Sequence, residues 1–293
     1  MCGHSFHHVS DMLPDTTSPL LRFGVIADPQ YAPIEPNTRL DRHYARSLDK
    51  LTAAIATLNG EALDFVVTLG DVIDRDWENF DPVLEVYRTL RHDCLFLPGN
   101  HDFAVAADRL ASVHAKLGMP APYHDFVRNG VRLILTDGNE VSLFAPPLDD
   151  PRRDEAANRL AALTEAGAIN AQTWNAGMSA AQIDWIGERL ALAEAAGEQA
   201  IVLGHYPLHP ASDHNLWGAE EVSAMIAASP AAIGYFCGHN HAGNYGRLGD
   251  THFVNFKGMV DTADENAFAI VAVHADRIEI TGFGREESRT LGL

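Results

Sequence analysis

The chain has little of what an extracellular, membrane-spanning or nucleic-acid-binding protein needs. Its 293 residues include three cysteines, Cys2, Cys94 and Cys237, odd in number and far apart. That spacing offers neither a disulfide framework nor a paired-cysteine metal knot, so all three are expected to fill space in the manner of buried free thiols. No stretch approaches the roughly 20 consecutive apolar residues of a membrane span. The opening MCGHSFHHVSDMLPDTTSPL also lacks the apolar run of a signal-peptide core. The expectation is a cytoplasmic protein, without membrane attachment, whose residues 1–20 form a loose tail. The tail histidines His4, His7 and His8 are expected to be solvated rather than metal-binding. Basic residues are scarce too: 21 Lys and Arg against 40 Asp and Glu give a net charge of −19. This is the wrong sign for a surface that must displace counterions from a phosphate backbone, which excludes general binding to nucleic-acid polymers. A small phosphorylated substrate remains open if bound metal supplies the cations locally.

What is present is an ordinary globular composition, 46% hydrophobic and 21% charged, long enough for one large α/β domain or two small ones. Apolar, β-branched runs end repeatedly in a polar residue: LRFGVIAD (21–28), DFVVTLGD (64–71), CLFLPGN (94–100), AIVLGH (200–205) and IGYFCGH (233–239). Continuous apolar runs of this length predict strands covered on both faces, hence sheets sandwiched by helices. Between the first two runs, Tyr44, Leu48, Leu51, Ile55 and Leu58 recur at the three- and four-residue spacing of an amphipathic helix. The order strand, helix, strand is that of a βαβ unit. VRLILTD (131–137) predicts a further strand, and HFVNFKG, FAIVAVHA and RIEITGF predict three closely spaced strands finishing a mixed sheet in antiparallel fashion.

Residues 138–178 interrupt this scheme with the proline pair Pro146-Pro147, the cluster DDPRRDE, which adds Pro151, a short helical pattern and the loop NAQTWNAGM. A helix is predicted from Ser179, where SAAQ matches a capping box with Gln182. Long excursions between core elements are usually functional. Residues 21–293 are therefore read as one domain with a cap-like, substrate-facing insertion at about 138–178.

The strand-end residues carry the chemistry. Asp28 and Gln30 lie in ADPQ, Asp71 and Asp74 in GDVID, Asn100 and His101 in GNHD, His205 in GHYP, and His239 and His241 in GHNH. Carboxylate, amide oxygen and imidazole donors suit Mn, Fe, Zn or Co better than calcium or a thiolate-seeking ion, and there are enough of them for two metals. A single GD or GH dipeptide reads as a turn, but glycine before two adjacent polar groups, as in GNHD, permits a sharp backbone turn into a site. In α/β sheets functional groups gather beyond the carboxyl ends of strands, where all of these residues fall.

In this order, ADPQ, GDVID, GNH, GHYP and GHNH resemble the motifs of the calcineurin-like metallophosphoesterases, across residues 24–241. The resemblance implies a four-layer α-β-β-α sandwich with two mixed β-sheets flanked by helices. It also implies a dinuclear site, with Mn2+ foremost and Fe, Zn, Co or Mg as alternatives. Carried over by position, Asp28, Gln30, Asp71 and His241 would hold one ion and Asp71, Asn100, His205 and His239 the other, with Asp71 bridging. His101 would contact the phosphoryl oxygen or protonate the leaving group, oriented by Asp74. Glutamine rather than histidine at position 30 is similar to the manganese-dependent ADP-ribose/CDP-alcohol diphosphatase group. So are GVIADPQYA, DRHYARSL, NAGMSAAQIDWI and HNLWG.

Two departures bear on nucleobase recognition. The loop YAPIEPNTR is shorter than that group's and offers only Tyr31, and Met178 stands where a phenylalanine is found. Trp174 and Trp217 are candidate replacements, although anchoring a loop is the commoner role for a tryptophan. Phosphodiester, cyclic nucleotide or phosphomonoester hydrolysis is the alternative reading. A non-catalytic protein-binding scaffold is more remote because the ligand set is complete. A redox two-metal protein would take its ligands from helices with Glu-x-x-His spacing, which the chain lacks.

Overall fold

The structure, a computed structural model, describes residues 18–293. Cys2, the tail histidines and most of the expected tail lie outside that range. Two six-stranded sheets face each other. The first contains β1 (Leu21–Ile26), β2 (Phe65–Leu69) and β3 (Cys94–Leu97), together with β10 (Ala267–Val273), β11 (Arg277–Gly284) and β12 (Arg289–Gly292), in the order β12-β11-β10-β1-β2-β3. The second contains β4 (His124–Arg128), β5 (Val131–Leu135), β6 (Gln199–Leu203), β7 (Ala232–Cys237), β8 (Asn244–Leu248) and β9 (Thr251–Asn255), in the order β4-β5-β6-β7-β9-β8. Both are mixed: the first is antiparallel from β12 to β1 and parallel from β1 through β2 to β3, and the second has a parallel centre between antiparallel margins.

The apolar runs hide a period of two. Phe23 and Val25 of β1 and Phe65, Val67 and Leu69 of β2 point between the sheets, where they meet Leu133, Leu203, Phe236 and Val254 of the second sheet. Phe23 and Phe65 stack with ring centroids 4.9 Å apart, and burying each ring contributes about 2–3 kcal/mol. The alternate residues, Ile26 and Val66, point outward beneath α1 (Ser47–Leu58) and α2 (Phe80–Tyr87). On the far side α5 (Ala180–Ala196) and α6 (Ala219–Ala227) cover the second sheet through Ile186, Leu190, Val222 and Ile226. The expected four layers are therefore observed, and the central strands β1, β2, β6 and β7 are almost wholly apolar because both of their faces are covered.

One expectation is corrected. Thr251–Asn255 joins the second sheet, whereas Ala267–Val273 and Arg277–Gly284 return to the first, so the last three runs are not one antiparallel finish. Both sheets present the same apolar face to the shared interior, and no pattern along a strand says which sheet it enters.

The short helix α3 (Val113–Lys116) precedes β4, and α4 (Arg152–Glu165) lies within the excursion at 138–178. There Ala156, Leu160 and Leu163 pack on Val141 and Trp217, while the Arg153 guanidinium donates to the carbonyls of Leu143, Phe144, Pro146 and Pro147. Ser179 caps α5 by accepting from the Gln182 amide at 3.2 Å. The reciprocal half of the box is absent: Glu140 accepts from the Ser179 amide, and the Gln182 side chain turns to Asp137 and Glu140. Among the described residues, no helix is long and apolar enough to cross a membrane.

Candidate metal centre

The parallel strands of both sheets end at one edge of the sandwich, and each ligand candidate follows its strand by a few residues. Asp28 follows β1, Asp71 follows β2, Asn100 and His101 follow β3, His205 follows β6, and His239 follows β7. The backbone turns there are strained. Asp28, Gln30, Asp71 and His239 have positive φ, 49°, 47°, 51° and 67°, in a region that costs a residue with a Cβ about 1–3 kcal/mol. Four of the nine motif residues adopt it, so folding holds these side chains in place against local preference. Gly99 is required by close approach: a Cβ there would sit 2.1 Å from Asp71 Oδ1 and 2.5 Å from Asp71 N. Gly99→Ala is expected to displace the Asp71 carboxylate, abolishing tight metal binding and activity. Calorimetric titration with Mn2+ checks this.

Two groups of buried donors share Asp71: Asp71 with His205 and His239, and Asp28 with Asp71 and His241, the donor atoms of each group lying within 4.8 Å of one another. In the first, His205 Nε2 lies 3.2 Å from Asn100 Oδ1, 3.2 Å from His239 Nδ1 and 3.6 Å from Asp71 Oδ1. The outer nitrogens fix the tautomers. His205 Nδ1 donates to the Leu69 carbonyl at 2.8 Å. His239 Nε2 donates to Asn175 Oδ1 at 3.0 Å. Asn175 is oriented by its own amide, which donates to the carbonyls of Asn170 and Asp213. Both inner nitrogens therefore present lone pairs toward an amide oxygen and a carboxylate. Such a set fits a divalent cation.

The second group reads the same way. His241 Nδ1 donates to Asp261 Oδ1 at 2.8 Å, which frees Nε2 for an ion. Imidazoles whose other nitrogen is held by a carbonyl or carboxylate are the usual metal-binding arrangement. Gln30 Nε2 donates to Asp74 Oδ1 at 3.0 Å, which fixes the amide and leaves Oε1 buried without a partner. Electrostatics agree. Burial, followed by the charge of Asp71, raises the Asp28 carboxyl well above its usual range. Burial, with His205 and His214 next, pushes His239 well below the ordinary imidazole value. Clustered carboxylates resist ionising together without a cation, while neutral imidazoles are ready to bind one.

His101 shares with Asp71, Asn100, His239 and His241 the lining of a cleft of about 590 Å3. Its Nδ1 lies 3.0 Å from the Asp74 carbonyl and 3.2 Å from Asp74 Oδ1, which leaves Nε2 free. Desolvation alone would lower its pKa, but Asp71 and then Asp74 outweigh it and raise the value. Arg75 Nε donates to Asp74 Oδ2 at 2.5 Å. One carboxylate thus engages His101, Gln30 and Arg75.

Sequence reasoning missed several participants. Asn175 and Asp261 orient His239 and His241, and Arg39, Arg42, Asp213 and His214 line the cleft. Asp102, fully buried, accepts from Ile73 N at 3.0 Å and Gly99 N at 2.8 Å, tying the GDVID loop to the GNHD loop. Burial, together with the Asp71 charge, pushes its carboxyl up to about 8. Asn175 and His214 fall within or beside NAGMSAAQIDWI and HNLWG, the stretches that resembled a diphosphatase group beyond the metal motifs. Of the aromatic candidates, Tyr31 packs on the α1–α2 core and Trp217 is 1% exposed. Met178 is core beside Ile186 and Leu190, so its difference from phenylalanine does not touch the cleft. Trp174 does line it.

With this geometry in place, comparison with known proteins is decisive at the level of family. Residues 21–243 match the family described as Calcineurin-like phosphoesterase. The chain belongs to that family. This phosphoesterase is 27% identical to the "Manganese-dependent ADP-ribose/CDP-alcohol diphosphatase" of Homo sapiens, an alignment covering 96% of the chain and 95% of the relative. It is 28% identical to the protein of the same name from Xenopus laevis, over 93% and 90%. A dimetal phosphatase from Danio rerio shares its fold with a TM-score of 0.83 at 24% identity, covering 94% of this chain and 99% of that one. The phosphoesterase is accordingly a metal-dependent hydrolase, as its motifs implied.

Proposed function

We propose that this phosphoesterase cleaves the diphosphate bond of nucleoside diphosphate-linked alcohols or sugars, in the manner named for its relatives: ADP-ribose and CDP-alcohols. The observation that carries the reading is the pair of donor groups sharing Asp71 at the floor of a cleft large enough for such a substrate. Asp28, Gln30, Asp71 and His241 would hold one divalent ion, and Asp71, Asn100, His205 and His239 the other, with Mn2+ the first choice from the relatives' names. Two such ions would supply Lewis acidity toward the phosphoryl group and toward the attacking water.

The chain's own residues do the rest. Asp74 accepts the Nδ1 proton of His101 and fixes the ring, so that Nε2 delivers its proton to the departing oxygen. Gln30 joins the same carboxylate, coupling the position of the acid to that of a metal ligand. The 138–178 segment acts as a cap: it places Trp174 on the cleft and Asn175 on His239.

Initial rates on Mn2+-reconstituted protein with ADP-ribose, CDP-choline, a cyclic nucleotide, and aryl phosphate mono- and diesters test the substrate assignment. Diphosphates are expected to give the highest kcat/KM. Inert diphosphates beside active mono- or diesters would overturn the substrate and leave the metal site standing. A separate prediction concerns Gln30, whose neutral amide oxygen is a weaker donor than imidazole. Gln30→His is expected to lower the Mn2+ concentration needed for half-saturation about tenfold. An unchanged Mn2+ titration would place Gln30 outside the ligand set.

A further inference from the structure

Among the described residues, almost every Lys and Arg side chain is engaged locally, by a carboxylate, a carbonyl or an aromatic ring. Among the described residues, only Arg39 and Arg91 have side chains without a hydrogen bond, ion pair or ring contact, and Arg39 lines the metal cleft. Its position is built. Asn37 Oδ1 accepts from the amides of Arg39 and Leu40 at 3.2 and 3.3 Å, and Asn37 pairs with Arg42 across the turn. Arg42 lies 3.8 Å from Asp261, the carboxylate that orients His241. The turn is therefore fixed relative to the ligands, and its free guanidinium is not explained by folding.

Two exposed apolar side chains share the cleft: Leu40, 48% exposed, from this turn, and Trp174, 44% exposed, from the segment after α4. Trp174 is held in place by its neighbour Asn175, which is fully buried and bonded to Asn170, Asp213 and His239. An indole left in water on a rigid anchor, in a cleft that also exposes Leu40 among polar residues, suits a planar apolar group of the ligand. Stacking on an indole accepts any base because every base has a π face.

We propose that Trp174 and Leu40 form the wall against which the nucleobase lies, and that Arg39 holds the phosphate left outside the metal clamp. This rests on the diphosphatase reading and names the groups that select a nucleoside diphosphate. A guanidinium is suited to a phosphate because its forked donors match the oxygens.

The test is ligand binding to Mn2+-loaded protein, measured by calorimetry with AMP, CMP, ADP and the base-less ribose 5-phosphate. Trp174→Ala is expected to weaken AMP and CMP on the order of tenfold while ribose 5-phosphate changes less than about twofold. Trp174→Phe should retain most of the affinity. Arg39→Ala is expected to weaken ADP about tenfold and AMP much less. AMP should also quench tryptophan emission in the wild type, and Trp174→Phe should remove that quenching. It is a check that does not depend on the alanine variant folding. Equal losses for nucleotides and ribose 5-phosphate, or unaltered nucleotide binding, would overturn the wall, and equal losses for AMP and ADP would overturn the role of Arg39. A wild-type enzyme that hydrolyses diphosphates yet binds AMP no better than ribose 5-phosphate would refute this inference alone. Absent diphosphatase activity would refute the substrate reading, and the binding comparison would still decide this one.

Discussion

Asp71→Asn should reduce bound Mn2+ from two ions per chain to one or fewer and abolish turnover. The variant keeps the shape of the side chain and an acceptor for the His101 amide, which donates to Asp71 Oδ1 at 2.8 Å. It loses the charge and the second ligand oxygen, and a single amide oxygen cannot bridge two cations in the way a carboxylate can. Asp71 belongs to both donor groups, so this one change damages both. Losing the two-ion clamp removes several kcal/mol of transition-state stabilisation, roughly a thousandfold or more in rate. Asp28→Asn and His205→Ala, each confined to one group, should leave about one ion bound. Metal analysis after desalting, set beside initial rates, is the measurement. The metal-free variant should melt no lower than metal-free wild type, because removing the Asp71 charge relieves the repulsion that raises the Asp28 carboxyl. A large drop in melting temperature would assign the loss to misfolding. Two fully retained ions would show that Asp71 is not the bridge.

His101→Ala should have the second largest effect, by a different route. A positioned general acid contributes about 10²–10⁴ in rate, and His101 has the geometry of one: Nδ1 is engaged by Asp74 and Nε2 is free on the cleft wall. Turnover should fall within that range while metal content stays at the wild-type value. The size of the loss should follow the leaving group. Aryl esters with basic leaving groups need the proton most and should lose most, and 4-nitrophenyl esters should lose least. A uniform loss across leaving groups would make His101 a phosphoryl-binding group instead, and a parallel loss of metal would make it a ligand. Asp74→Asn should follow His101→Ala in its leaving-group dependence at smaller amplitude, since the ring remains but its orienting charge is gone.

Much of the fold was legible because local constraints wrote it into local sequence. The strand runs ending at Asp28, Asp71, Asn100, His205 and His239 are apolar throughout because each strand is covered on both faces. Tyr44, Leu51, Ile55 and Leu58 show helical spacing because one face of the α1 region meets the first sheet. Even the hairpin of β4 and β5, which pattern reasoning passed over, carried a signal in Asn129-Gly130, both at positive φ, the usual composition of a tight two-residue turn. Two features left no such trace. The last three runs divide between sheets that share one apolar interior, and the capping partner of Ser179 is Glu140, 39 residues earlier.

The sequence alone determined the types of candidate donor, their order and their placement at strand ends, since a turn into a site needs particular residues at particular backbone positions. Asp28, Gln30, Asp71, Asn100, His205, His239 and His241 could therefore be named as candidates before any coordinates. Only the tertiary structure decided which nitrogen of each histidine is free, because Leu69, Asn175 and Asp261 reach them from 136, 64 and 20 residues away. It likewise decided that Trp174 is exposed on the cleft while Trp217, Tyr31 and Met178 are packed against the core. Burial and hydrogen-bond partnership are properties of what folding brings together from distant segments, and no window of sequence contains them.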